Sequence, residues 1–256
     1  MRMMKSVDIC DVPVSSVNIP QACDVIDGRI NDRKKVYICV APVSTIVDCQ
    51  SDHEYKKVLN NADMITPDGM PLVWIGKLKG DKNIGRTYGP DLMQALCRSG
   101  EKKGYKHYLY GSTESTCGLL RNVLKRKFPN IDIRGHYAPP YRPVHAQEDE
   151  SIVNEINSAD PDILWVGLGS PKQDFWMYEH RAKLKAPIII GVGAAFDFIA
   201  GVKKQAPRWM RRFGLEWFFR LCSEPKRLWK RYFLGNTKFI YLLIKHSIKS
   251  RFRNKR

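Results

Sequence analysis

Ile163-Leu164-Trp165-Val166-Gly167-Leu168-Gly169-Ser170-Pro171-Lys172-Gln173 is the stretch on which the fold turns. Ile163–Leu168 is an apolar run of strand length, bounded by glycine, and Pro171 suits the first turn of the helix predicted over Lys172–Lys183. The same unit recurs on either side. Val36–Val40 reads as a strand followed by a polar, helix-like segment through Leu59. Lys106–Tyr110 leads through Gly111-Ser112-Thr113 into a helix over Glu114–Lys127. Ile131–Gly135 and Pro187–Val192 are further strands, and Glu148–Ser158 has helical spacing, with Ile152, Val153 and Ile156 apolar. Alternation of this kind over the first 200 residues predicts an α/β fold, a mainly parallel sheet with covering helices. Ligands of such sheets lie beyond the carboxyl ends of the strands, so the residues just after each apolar run are the ones to weigh.

The formal charge of the 256-residue chain is +17, and it is unevenly placed. Residues 201–256 hold 17 Lys and Arg against two acids, Glu216 and Glu224, a net of +15, which leaves +2 for residues 1–200. A nearly neutral core (1–200) and a basic, aromatic, helical appendage (201–256) are the expected organisation. Such an appendage seeks polyanions: nucleic acid, anionic lipid or a phosphorylated substrate, with a merely solvated surface as the plain alternative. The seven cysteines are scattered and never form a Cys-x-x-Cys pair, which argues against a zinc site or disulfide framework and suits a reducing cytosol. No signal peptide is visible, and no apolar run approaches the roughly 18 residues needed to span a bilayer.

Three turns carry candidate chemistry. Thr66-Pro67-Asp68-Gly69 follows the short run Ala62–Ile65. Asp68 there is either a turn-forming residue or a carboxylate base held stiffly beside an attacking hydroxyl. Gly167 to Gln173 offers close backbone approach and a helix N-terminus to phosphate, with Lys172 and Gln173 directed at the ligand; a tight structural turn is the bland reading. Gly193-Ala194-Ala195-Phe196-Asp197 is the third. No Asp-x-Asp-like run offers itself to a divalent ion, so no metal is expected, and cationic side chains are the alternative for neutralising a leaving diphosphate. Arg220, Arg227 and Arg231 share one helical face provided that the helix runs through Pro225. From Tyr232 to Arg256, Phe233, Phe239, Ile240, Tyr241, Leu243, Ile244 and Ile248 alternate with Lys and Arg, as in an interfacial membrane helix; base stacking on nucleic acid is the rival.

In order along the chain stand Asn60-Asn61-Ala62-Asp63 with Thr66-Pro67-Asp68-Gly69, Arg86-Thr87-Tyr88-Gly89-Pro90-Asp91, Leu109-Tyr110-Gly111 and Gly135-His136-Tyr137. They continue with Gly167 to Gln173, Gly193 to Asp197, Ala206-Pro207-Arg208-Trp209, Gly214-Leu215-Glu216-Trp217, Arg220 and Glu224-Pro225-x-Arg227. This series resembles the TagA/WecG/CpsF family of bacterial glycosyltransferases from about Val7 to Arg231. The resemblance implies a Rossmann-like fold and an inverting, metal-independent transferase without cofactor. Its donor would be a UDP-sugar carrying N-acetylmannosamine, glucose or a related hexose. Its acceptor would be a polyprenyl-diphosphate-linked saccharide, in surface or extracellular polysaccharide synthesis. Asp68 would be the general base and Gln173 a contact to donor or acceptor sugar. Arg220 and Arg227, with Lys230 or Arg231, would hold diphosphate oxygens. Arg86, Asp91, Gly111, Tyr137, Gly167, Gly169, Lys172 and Asp197 would complete the substrate contacts. The appendage would dock on the anionic inner face of the cytoplasmic membrane, with no nucleic-acid partner; a homo-oligomer stays open.

The chain departs from that pattern once. Where family members commonly carry Thr-x-Asn after the first core strand, it reads Val40-Ala41-Pro42-Val43-Ser44-Thr45, leaving Ser44 or Thr45 to supply a hydroxyl. The departure bears on the donor sugar more than on the reaction class. It also keeps a catalytically inactive, nucleotide-binding relative in view as the alternative, ahead of a nucleic-acid-binding protein.

Overall fold

The computed structural model describes residues 4–140, 142 and 145–253, except the side chains of residues 227, 231 and 249–253. A short antiparallel hairpin, β1 (Ser6–Ile9) and β2 (Val12–Ser15), comes first, then helix α1 (Ile19–Asn31). Strand β3 (Val36–Ala41) is followed by α2 (Val43–Asp48) and α3 (His53–Asn61), and β4 (Met64–Pro67) by α4 (Met70–Leu78) and α5 (Gly89–Lys103). Then come β5 (Lys106–Gly111), α6 (Glu114–Lys127), β6 (Asp132–Tyr137) and α7 (Ala146–Ser158). Strand β7 (Ile163–Gly167), α8 (Lys172–His180), β8 (Ile188–Gly191) and α9 (Ala195–Ile199) close the alternating part. The basic region forms α10 (Arg208–Arg212), α11 (Glu216–Ser223) and the long α12 (Pro225–Arg253).

Strands β3 to β8 make one parallel sheet in the order β4-β3-β8-β7-β5-β6. The expected α/β architecture, a Rossmann-like parallel sheet covered by helices with a helical C-terminal region, is therefore the one found. Its central strands are buried on both faces, which is why they read as unbroken apolar runs rather than as alternating patterns. Successive side chains feed opposite cores. Tyr37, Cys39, Leu164 and Val166 join one; Ile38, Val40, Ile163 and Trp165 join the other. Strand β3 leads outward to β4 and β5 leads outward to β6, after which β7 and β8 fill the middle. The carboxyl ends of all six strands thus share one rim, with the strand order reversing near β3 and β8.

The β1–β2 hairpin and helices α1, α4 and α5 were not anticipated from the sequence. The hairpin turns through Cys10 and Asp11, both at positive φ (55° and 60°), without the glycine that usually marks such a turn. Helix α1 begins with a capping box, Asn18 and Gln21 each accepting from the other's backbone N–H, but has only a narrow apolar stripe. In α4 the sequence Met-Pro-Leu-Val-Trp-Ile-Gly-Lys-Leu is apolar nearly all round, which hides its period, and α5 follows an irregular loop.

One expectation is corrected. The helix does not continue through Pro225: α11 ends at Ser223, and Pro225 opens α12. Proline lacks an amide hydrogen and fits only the first turn of a helix, so the chain restarts there. Arg220 therefore lies on a different helix from Arg227 and Arg231, whose side chains are outside the described residues. Helix α12 packs across α2, and Phe239 is buried in the main core with Leu242 and Leu243 beside it.

Candidate active site

Asp68 sits immediately beyond β4, its amide donating to the Ala41 carbonyl of β3 at 3.1 Å. Its own carbonyl accepts from Arg86 Nε at 2.6 Å, and the Gly89 amide at the start of α5 donates to its carboxylate. The remaining carboxylate oxygen, Oδ1, is buried without a hydrogen-bond partner among the described residues. Burial pushes the Asp68 carboxyl up to about 6; Arg86 and Arg220 oppose that rise and Glu216 adds to it. An acid raised in this way, with an oxygen still open, is equipped to accept a proton at neutral pH.

Arg86 holds the region together. Besides Asp68 it donates to the Arg211 carbonyl at 3.2 Å and to Glu216, with its guanidinium over the Tyr88 ring at 4.3 Å. Glu216, at the start of α11, is buried, and the pair ties the C-terminal helices to the strand rim. Arg211 in turn forks onto Asp91 at 3.1 and 3.2 Å. Loss of either member of a desolvated ion pair leaves the other uncompensated. Glu216→Ala is therefore expected to lower stability by about 3 kcal/mol, read as a clear drop in Tm by calorimetry.

Above this floor lies a cleft of about 520 Å³. Asp68, Arg86, Glu216 and Arg220 form its polar end. Met70, Trp74, Ile75 and Leu78 of α4 face Tyr232, Phe239, Ile240 and Leu243 of α12 along the rest. Of the two hydroxyls after β3, Ser44 lines the cleft, whereas Thr45 is buried within 3.5 Å of the Tyr55 hydroxyl. That hydroxyl also donates to Asp174 Oδ2 at 2.7 Å, a buried link between α3 and α8.

The glycine turns form a second group along the same rim. Gly111 (φ 132°) and Gly167 touch so closely that a Cβ on Gly111 would come within 2.6 Å of Gly167 backbone. Gly169 also has positive φ. Gln173 is buried, and its Oε1 accepts from the Gly169 and Gly193 amides at 3.1 and 2.9 Å while Nε2 donates to Ser170. Its amide thus clasps the β7 and β8 turns to each other. Lys172 is exposed beside them, and Asp197 accepts from Ser112 and pairs with Lys203 at 2.7 Å.

The sequence-derived residues consequently fall into places of different kinds. Asp68, Arg86 and Arg220 meet at the cleft, with Asp91 behind them on Arg211. Gly111, Gly167, Gly169, Lys172, Gln173 and Asp197 gather at the ends of β5, β7 and β8. The groups adjoin, since a Cβ on Gly89 would stand 3.2 Å from the Val192 carbonyl. Tyr137 stacks on Tyr110 at the end of β6, the opposite edge of the sheet and about 24 Å from β4 at normal strand spacing. Lys230 is exposed over the Trp229 ring, outside the cleft lining. Among the described residues one group of converging metal-ligand types occurs, Asp8, Asp11 and His246, where α12 meets the β1–β2 turn. It too lies outside the cleft lining, with Lys56 bonded to Asp11.

A family model described as the Glycosyl transferase WecG/TagA/CpsF family matches residues 7–253, nearly the whole of this arrangement. The chain belongs to that family. Among its relatives are the N-acetylglucosaminyldiphosphoundecaprenol N-acetyl-beta-D-mannosaminyltransferases of Bacillus spizizenii and Bacillus subtilis. The first is 30% identical over 217 residues, covering 85% of this chain and 82% of the relative; the second is 30% identical over 230 residues, covering 89% and 87%. A Staphylococcus aureus protein of the same name is 29% identical over 184 residues, 72% of this chain and 70% of its own. The chain is thus a glycosyltransferase.

Several residues of this WecG/TagA/CpsF member's cleft escaped the sequence reading. Glu216 stood in a recognised motif but carried no role, because its partner Arg86 is 130 positions away. Trp74 and Asn236 carried no signal beyond type, and only the placement of α12 across the cleft from α4 brings them to one cavity.

Proposed function

We propose that the protein transfers a hexose or hexosamine, N-acetylmannosamine, glucose or a relative, from a UDP-sugar to an undecaprenyl-diphosphate-linked saccharide. Asp68 takes the proton of the acceptor hydroxyl, whose oxygen attacks the anomeric carbon as the bond to UDP breaks. One displacement inverts that centre. Arg220 and Arg86 offset the negative charge gathered around the reacting groups. No cofactor is required, and in this reading no metal takes part. The observation that carries the proposal is Asp68 with an unpartnered oxygen and a raised pKa at the polar end of an otherwise apolar cleft. The names of the Bacillus relatives, which specify a beta-linked mannosaminyl product and a lipid-diphosphate acceptor, support the same assignment.

No helix among the described residues is long and apolar enough to cross a membrane. The 201–256 appendage completes the cleft and docks at the inner face of the cytoplasmic membrane in this proposal. Phe233, Tyr241, Ile244 and Ile248 of α12 are exposed among lysines, the composition of an interfacial helix. Incubation with UDP-N-acetylmannosamine and N-acetylglucosaminyl-diphosphoundecaprenol, followed by mass and anomeric-coupling analysis, tests the chemistry. A product one hexosamine heavier with inverted configuration is expected; retention would exclude the single displacement.

The raised Asp68 pKa has a directional consequence. A base works only when deprotonated, so kcat/KM should fall as pH drops through about 6 and level off above it. Because Glu216 raises that pKa, Glu216→Gln should move the acid limb to lower pH. A profile unchanged in Glu216→Gln would separate the limb from Asp68.

A further inference from the structure

The apolar end of the cleft is larger than the proton transfer at Asp68 requires. Two helical stripes face each other across it: positions 70, 74, 75 and 78 of α4, and positions 232, 235, 236, 239, 240 and 243 of α12. Both follow helical spacing, so each is one continuous wall. The α4 wall runs about 12 Å from Met70 beside Asp68 to Leu78, at the helical rise per residue. Exposure grows along it, from Trp74 at 47% to Leu78 at 87%, while Ile240 opposite is 58% exposed. Large apolar side chains so exposed on both sides of one channel lack a partner among the described residues.

Gly235 supplies an independent observation. It lies inside α12, where glycine is the least favourable ordinary residue, yet a Cβ built there meets nothing within 4 Å. Neither a positive φ nor a close neighbour demands glycine. What its missing side chain leaves is room in the cleft, next to Tyr232 and Asn236.

The geometry points to a binding subsite for the first isoprenoid units of the acceptor's lipid, threaded between α4 and α12 past Gly235. This rests on the acceptor proposed above and goes beyond it. The order of chemistry along the cleft matches the order along such a molecule. The carboxylate and arginines at the floor meet the sugar and diphosphate, and the aromatic and aliphatic walls meet the hydrocarbon that follows. An extended protein segment would bring a row of backbone amides and carbonyls against walls made mostly of apolar side chains, whereas a branched hydrocarbon asks only for apolar contact. The subsite also distinguishes two uses of hydrophobic surface: the outer face of α12 meets the membrane, while the inner face holds the substrate's own chain.

Three water-soluble acceptors separate these ideas without any membrane: N-acetylglucosaminyl diphosphate esters of methanol, of a five-carbon isoprenol and of a ten-carbon isoprenol. In the wild-type protein KM should fall by about tenfold or more from the methyl to the ten-carbon ester, as expected for burying several methylene-sized groups. The quantity compared is that ratio within each protein. Gly235→Leu, which fills the channel with a better helix former, and Trp74→Ala, which removes one wall, should each reduce it to under about threefold. Calorimetry confirms that each variant folds. A wild-type ratio near one, or variants that keep the full ratio, would overturn the subsite while leaving the reaction class intact. Turnover of none of the three esters with any UDP-sugar would instead overturn the proposed function, and the subsite with it.

Discussion

Asp68→Asn is expected to lose about 10²–10⁴-fold in turnover while binding UDP as the parent does. The amide keeps the shape of the carboxylate but cannot accept the acceptor's proton. The variant's stability makes this prediction sharp. Folding raises the Asp68 pKa to about 6, so between its unfolded value and that figure the folded state binds more protons than the unfolded state. Stability therefore declines as pH rises through that window and stays lower above it. A neutral amide removes that cost, and Asp68→Asn should melt no earlier than the parent at pH 7.5. An inactive variant with an undiminished Tm marks a residue kept for chemistry. Wild-type turnover, or a large fall in Tm, would remove Asp68 from the role of base.

Arg220→Ala should come next in size, with about 10²–10³-fold lost in kcat/KM. Arg220 reaches the cleft from α11, lies over the Phe198 ring at 5.5 Å, and is close enough to Asp68 to lower its pKa. Among the described residues it forms no ion pair, unlike Arg86 and Arg211, whose carboxylates are already in place. Its charge is thus available to diphosphate oxygens. A guanidinium can meet two such oxygens at once and an ammonium cannot, so Arg220→Lys should recover only part of the loss. Titration of each variant with UDP and with acceptor tells which diphosphate is held. An alanine variant within threefold of the parent would assign the charge work elsewhere.

Legibility in the sequence followed burial and locality. Strands β3, β5, β7 and β8 are fully enclosed, so their apolar runs stood out, and α6 was bounded correctly at Glu114 and Lys127 behind its Thr113 cap. The β1–β2 turn hid because Cys10 and Asp11 do what glycine usually does. Helix α4 hid because one face packs on the core while the other lines the cleft, so both are apolar. The site behaved likewise. Asp68 and the Gly167–Gln173 turn were visible as local motifs after strands. The Gln173 amide was expected to face a ligand, yet its contacts within the chain are to Gly169, Gly193 and Ser170. No local pattern encodes the loops that tertiary folding brings beside it. The joining of Arg86 to Glu216, and the placing of α12 across the cleft from α4, depend on long-range closure of the same kind.

The most direct test of the whole account is UDP release from a panel of UDP-sugars, with and without a short-chain polyprenyl-diphosphate-linked sugar. Release that depends on the acceptor and favours one donor is the predicted result, and it names the sugar at the same time. Silence across the panel, from protein that still binds UDP, would contradict the proposed transfer and identify a nucleotide-binding relative that has lost its reaction.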